Sequence, residues 1–273
     1  MYKVLSIPTF TGKEHCMVEF LMEYMREKGY EGGVDEKGNV YMTKGTLPKG
    51  DYYPCVTAHM DTVQYMQIPF IEAREPIPLM TDEVNGKHWI FAEDFGLGAD
   101  DKAGIVIALT IVDNLPICKA VFFVEEEGGC LGSQKADLDW FGDVGYIMAF
   151  DSPEGNCASW SCGGVCLFDK HFYETYLAEL GKKFGLTKFV VHPYTDVMML
   201  RMDTVLMCMN FGAGYYKYHT PGEYCIAEEM DNAAAMGLCL INRLGYKEYV
   251  FPYAPRSPYE TDENHKYFRT IFG

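Results

Sequence analysis

Three short apolar runs in this chain each end on a histidine or a carboxylate. Residues 52–58 run into His59, residues 120–124 into Glu125-Glu126-Glu127, and residues 145–150 into Asp151. Runs of this length, mostly apolar and without polar alternation, are the pattern of strands buried on both faces. Residues 101–114 carry Ile105, Ile107, Ala108 and Ile111 at helical spacing. Later come helix patterns at 170–184 and 227–244 and a strand pattern at 204–211. Strands that alternate with helices predict an α/β three-layer sandwich, with a central mixed or parallel sheet flanked by helices. The charged ends of the buried runs fall where open α/β sheets hold their sites, just after strands.

The rest of the chain is legible from its turn chemistry. Thr11 is placed to cap a helix running to about Lys28, with Gly29 as its stop. Residues 34–44 read as two strands around Lys37-Gly38, and residues 63–95 as a long insertion with a second hairpin turning at Asn85-Gly86. One domain is expected over 1–250. A C-terminal extension, 251–273, is rich in Pro, Tyr and charge and is either folded back or frayed.

Composition narrows the function classes. At 273 residues and 48% apolar content the chain can bury a substantial core. A net charge of -16 argues against nucleic acid, which needs a basic face, and against an anionic membrane surface. Of ten cysteines, Cys55, Cys118, Cys166, Cys208 and Cys239 lie within apolar runs, where a thiol acts as a small hydrophobe. Cys162 and Cys166 lack the spacing and the second pair of a zinc knuckle. With no signal-peptide pattern and no apolar stretch near the ~18–20 residues of a membrane span, the expectation is a reduced, cytoplasmic protein.

Five segments offer metal-type ligands: Thr57-Ala58-His59-Met60-Asp61-Thr62, Gly98-Ala99-Asp100-Asp101-Lys102-Ala103-Gly104, Glu125-Glu126-Glu127-Gly128-Gly129, Ala149-Phe150-Asp151 and Tyr218-His219-Thr220-Pro221-Gly222-Glu223. Each has an ordinary reading of its own. His59 and His219 can be structural, Asp100-Asp101 an acidic helix start, the glutamates an exposed turn, and Asp151 a cap. Taken together they supply the nitrogen and oxygen donors that suit zinc or a similar ion. His59 and Asp61, two apart at a strand end, share a side, so a carboxylate can hold the imidazole tautomer. Glu126 and Glu127 would face opposite ways on a regular strand, and Gly128-Gly129 offers a place for the chain to leave it.

In order and spacing these segments resemble the co-catalytic dizinc exopeptidases: peptidase T, carboxypeptidase G, aminoacylase and the related single-domain aminopeptidases. The matching motifs are T-A-H-M-D-T, G-A-D-D-K-A-G, E-E-x-G and H-T-P-x-E. Leu5-Ser6-Ile7-Pro8-Thr9 looks like the family's opening and Val34-Asp35-Glu36-Lys37-Gly38-Asn39-Val40 like its early hairpin. The resemblance implies two zinc ions, with cobalt or manganese as alternatives. His59, Asp100 and Asp151 would hold one, and Asp100, Glu127 and His219 the other. It further implies Glu126 as general base, Asp61 as partner of His59, and a cis peptide between Asp100 and Asp101. Residues 157–218 are too short to contain the lid of peptidase T and carboxypeptidase G, so a zinc-exopeptidase fold without a lid domain is expected.

The reaction this implies is hydrolysis of an N-terminal peptide bond. The alternatives are a carboxypeptidase or N-acyl amino-acid deacylase, which needs a cation for the substrate carboxylate. Arg201 is the one arginine between Arg74 and Arg243. A one-zinc glutaminyl cyclase-like transferase and a non-catalytic metal-dependent binding protein are further rivals. Tyr215, Tyr216 and Tyr218 read either as oxyanion donors or as packing. Asp196 reads either as a partner for a substrate ammonium or as a helix cap. The expected partner is a peptide or amino-acid-derived substrate, and association with further copies of the chain is left open by the sequence.

Overall fold

A computed structural model describes residues 1–63, 74–92, 96–251 and 263–272. Among these a nine-stranded mixed sheet forms the centre. Its strands are β1 (Glu31–Val34), β2 (Val40–Lys44), β3 (Tyr53–His59), β6 (Cys118–Phe123), β7 (Val144–Ser152), β8 (Cys157–Cys162), β9 (Val165–Cys166), β10 (Lys188–His192) and β11 (Cys208–Gly212). They run β1-β2-β6-β3-β7-β11-β8-β10, with β9 paired to β8. The pairs β6/β3, β3/β7 and β7/β11 are parallel, while β1/β2, β2/β6 and β11/β8 are antiparallel. Every residue of β3, β6 and β7 is buried. That is why these strands read as continuous apolar runs rather than as an alternation.

Helices flank this sheet. Of these, α1 (Tyr2–Leu5) and α2 (His15–Lys28) come first, and α3 (Ala99–Asn114) lies against β3, β7 and the long helix. The stretch at 170–184 is helical but not uniform: α4 (Lys170–Phe172) passes through a π turn (Tyr173–Leu177) into α5 (Ala178–Phe184). Then come α6 (Asp196–Thr204), α7 (Ala227–Leu244) and α8 (Glu263–Phe272). Phe268 of α8 is buried, and its ring lies 5.4 Å from Trp160. Phe272 stacks on Phe189 at 4.3 Å. Residues 252–262 of the C-terminal extension, and the insertion's residues 64–73 and 93–95, lie outside the described residues. No helix among the described residues is long and apolar enough to cross a membrane.

A second, four-stranded sheet runs β12 (Tyr215–Tyr216), β13 (Tyr224–Ile226), β5 (Lys87–Phe91) and β4 (Met80–Val84). It joins the hairpin expected at the Asn85-Gly86 turn, whose strands are β4 and β5, to the segment around His219.

Two local expectations change. Thr11 does not cap α2, which begins at His15 after Glu14; its hydroxyl instead donates to Asp61 Oδ2 at 2.9 Å. A buried carboxylate needs donors, and that need draws Thr11 away. The strand expected from 204 begins at Cys208, because α6 reaches Thr204 and Val205 stops it with a left-handed φ of 56°.

Candidate active site

The donor-bearing segments reach one place by different routes. His59 is the last residue of β3, Asp151 lies near the end of the adjacent parallel β7, and Glu126 and Glu127 follow β6 on the other side of β3. Asp100 and His219 do not follow strands of this sheet. Asp100 stands at the head of α3, and His219 lies beyond the short β12 of the small sheet.

Asp100 is the centre of the arrangement. Its Oδ1 is 3.3 Å from His59 Nε2 and its Oδ2 is 3.3 Å from His219 Nε2, so the two carboxylate oxygens face different imidazoles. His59 Nε2 also lies 3.5 Å from Asp151 Oδ1 and 3.9 Å from Glu126 Oε2. On the other side, His219 Nε2 is 2.6 Å from Glu127 Oε1. The donor atoms of His59, Asp100 and Asp151 lie within 4.8 Å of one another, and so do those of Asp100, Glu127 and His219. A third group of the same tightness, His59, Glu126 and Glu127, overlaps them, so spacing alone does not separate Glu126 from the ligands.

The local chain explains this convergence. Asp100 follows Gly98, whose φ is 64°, and the peptide from Asp100 to Asp101 is cis. The Glu223 carboxylate accepts the Gly98 N–H at 2.5 Å and the Asp100 N–H at 3.1 Å, fixing the entrance to α3. Asp101 turns inward and accepts the Gly104 N–H at 3.0 Å. A Cβ on Gly104 would come within 2.2 Å of that carboxylate, so only glycine fits there.

The two glutamates face the pocket together because the chain leaves its strand earlier than Gly128-Gly129. The turn is at Glu125, with φ 53°, whose own carboxylate points away to Lys37. Asp61 then accepts the N–H groups of Glu126 at 2.9 Å and Glu127 at 3.1 Å. Its carboxylate is 3.5 Å from His59 Nδ1, while the closer acceptor for that nitrogen is the Asp61 carbonyl at 2.9 Å. Asp61 therefore organises the glutamate turn more directly than it holds the imidazole. Asp151 is fixed by Asn210, which accepts its N–H at 2.9 Å and donates to its carbonyl at 3.2 Å.

Electrostatics show what the pocket needs. Burial pushes the Asp151 carboxyl up to about 6 and raises Glu126 as well, the latter further by Asp151, Asp196 and Asp100 nearby. Burial works against a proton on His59, but its hydrogen bonds to Asp100, Asp151 and Asp61 outweigh that and raise it. His219 is raised to about 10 by Asp100 and Glu127. The ion pairs that Asp100, Asp151, Glu126 and Glu127 make among the described residues are all with histidine, none with Lys or Arg. Carboxylates so deeply gathered demand positive charge. Divalent ions meet that demand, releasing the imidazole protons as they bind. The residues present therefore fit a metal centre.

Of the tyrosines, Tyr216 donates to Glu229 at 2.6 Å, Tyr215 is buried, and Tyr218 lies edge-on to the His219 ring at 5.0 Å. Glu223 was visible inside its motif but had no role in the sequence reading. Asn210 left no signal at all, since its function depends on β11 lying beside β7.

No protein-family model matches the chain. Among curated relatives it is 26% identical over 155 residues to a [LysW]-lysine hydrolase of Deinococcus radiodurans, covering 56% of this chain and 36% of that one. It is 25% identical over 171 residues to the cytosol non-specific dipeptidase of Escherichia coli, covering 60% and 34%. It is 29% identical over 178 residues to a peptidase T-like protein of Yersinia pestis, covering 55% and 43%. The chain thus spans about a third to two-fifths of the length of these relatives. In fold it is similar to the aminopeptidase PepT of Bacillus cereus, with a TM-score of 0.67 at 15% identity over 89% of this chain and 96% of that one. It is also similar to the TET1 peptidase of Pyrococcus horikoshii, with a TM-score of 0.63 at 14% identity over 87% and 97%. The architecture is that of the PepT and TET aminopeptidases. Peptidase T, to which the motifs pointed, returns both by sequence and by fold, and the resemblance to the dizinc exopeptidases stands on both.

Proposed function

We propose that this chain is a metal-dependent exopeptidase, an aminopeptidase that hydrolyses the first peptide bond of substrates with a free N-terminus. The observation that carries the reading is the Asp100 carboxylate, with one oxygen toward His59 and the other toward His219, and Glu126 beside it. His59, Asp100 and Asp151 would hold one zinc, and Asp100, Glu127 and His219 the other. When bound, the ions would lower the pKa of the attacking water toward ~7 and polarise the scissile carbonyl. Glu126 accepts the proton of the attacking water at its carboxylate and returns it to the leaving amine. Asp61 keeps Glu126 in place through the backbone, and Glu223 does the same for Asp100. Burial around Glu126 suits it to the task, since a general base works best when its pKa is drawn toward the operating pH.

The unit proposed is one domain over 1–250 without an inserted lid, acting in the cytoplasm. Association with further copies is part of the proposal, to be read by light scattering. The TET1 peptidase of P. horikoshii, similar in fold, can assemble into a tetrahedron or a large octahedral shell.

The test uses the purified chain with zinc, cobalt or manganese restored after chelation. Zinc counted by elemental analysis should reach two per chain. Dipeptides and aminoacyl-anilides with free amines should be cleaved, activity should vanish with chelator, and N-acyl amino acids should be poor substrates. Preferential cleavage of N-acyl amino acids would favour the deacylase instead.

A further inference from the structure

Asp196 opens α6 yet does not cap it; Thr195 does, its Oγ1 accepting the Val197 N–H at 3.2 Å. The Asp196 residue is 4% exposed, comparable to Asp151 at 6% and Asp100 at 7%. Its Oδ1 accepts from Ser133 Oγ at 2.5 Å, and no described residue donates to Oδ2. No Lys or Arg among the described residues pairs with it, and it belongs to none of the candidate metal groups. The other carboxylates lining this region are satisfied. Asp61 has Thr11 and the N–H groups of Glu126 and Glu127, Glu223 has Gly98 and Asp100, and Asp101 has Gly104 and His59. A buried carboxylate held by one hydroxyl is costly unless a cation joins it.

Asp196 is also tied to the proposed base. Ser133 Oγ lies 3.2 Å from the Cys130 carbonyl, and Cys130 Sγ lies 3.5 Å from Glu126 Oε1. The charges of His59, Asp151 and Asp61 act on it, and it acts on Glu126.

We infer that Asp196, held by Ser133, is the anionic subsite that receives the α-ammonium of the substrate, an assignment that rests on the peptidase reading above. An ammonium brings donors and the missing positive charge, giving a charge-assisted hydrogen bond to the open oxygen. Fixing the free terminus at a set place relative to Glu126 confines cleavage to the first peptide bond. It also turns away N-acylated substrates, which lack the charge. Burial raises this carboxyl to about 8 when no cation stands beside it, and a bound ammonium holds it ionised.

The experiment measures binding of leucinol and N-acetyl-leucinol to the zinc-loaded protein by calorimetry, together with KM and kcat for a free-amine dipeptide. Asp196→Asn should weaken leucinol and raise the dipeptide KM by about 10–100-fold, the loss expected for a hydrogen bond to a charged group. N-acetyl-leucinol binding, zinc content and Tm should hold. Ser133→Ala, which keeps the charge but frees it, should lose a smaller factor on leucinol alone, and it decides the matter should Asp196→Asn not fold. Unchanged leucinol binding in these variants, or equal losses for both alcohols, would overturn the assignment. A wild-type chain that cleaves no free-amine peptide would instead remove the peptidase reading, so the two failures are distinguishable.

Discussion

The donor set draws on two sheets that differ sharply. On the nine-stranded sheet, His59 and Asp151 come from adjacent strands buried along their whole length, and the His59 side chain is 2% exposed. On the four-stranded sheet, His219 sits past a two-residue strand with its side chain 37% exposed. The β4–β5 hairpin of this smaller sheet is largely exposed and is linked to α7 by the surface pairs Lys87–Glu229 and His88–Glu228. Close packing makes the first half a fixed template, whereas the second joins buried residues such as Ile90 and Cys225 to surface ion pairs that water and salt weaken. The large sheet fixes His59 and Asp151, while the segment before β13 of the small sheet brings His219 and, through Glu223, also holds Asp100.

The largest expected effect lies on the large-sheet side and leaves the metal alone. Glu126→Gln should reduce kcat by roughly 10²–10⁴-fold, the worth of a general base, while elemental analysis finds the zinc content of wild type. Near-normal turnover would take Glu126 out of the chemistry.

Next comes a direct contest between the two halves. His59→Ala leaves buried carboxylates without their partner and should cost about 3–5 kcal/mol of stability, with loss of tightly bound zinc. His219→Ala, at a half-exposed position, should weaken zinc yet lower Tm much less. The reverse order in thermal melts would break the proposed division of labour.

A milder change sharpens the role of the glutamate turn. Asp61→Asn removes charge from the acceptor of Thr11 and of two backbone N–H groups. The loss should be about 10–100-fold in zinc affinity or activity, as for other residues that orient metal ligands. A metal-buffered titration reads it.

The smallest effect belongs to the small sheet's anchor. A hydrogen bond to the Glu228 carboxylate raises the His88 imidazole above its ordinary 6.5. A raised histidine stabilises the fold fully below its unfolded pKa, and that contribution fades as pH climbs through the folded value. The Tm difference between wild type and His88→Ala, followed from about pH 5 to about pH 9, should therefore be greatest at the acid end and vanish at the alkaline end. A difference that grows with pH would contradict the pairing.

These contrasts also separate what was readable in the chain from what was not. Strands β3, β6 and β7 were visible because burial on both faces leaves an unbroken apolar run, and α7 because its apolar residues recur at helical spacing. Thr11, Glu125 and Val205 were not. Their roles come from partners 50 or more residues away, or from left-handed backbone at residues that do not announce it.

By itself, then, the order of residues determined the α/β class, the buried strands, and the donor chemistry offered by His59, Asp100, Glu126, Glu127, Asp151 and His219, because periodicity and donor chemistry are local properties. Only the tertiary structure decided that Asp100 turns its two oxygens to different imidazoles, that Asp61 serves the glutamate turn, and that Asn210 and Glu223 hold their neighbours in place. Those outcomes depend on which strands and loops become neighbours. That is settled by burial and hydrogen-bond satisfaction across the whole core, not within any one segment.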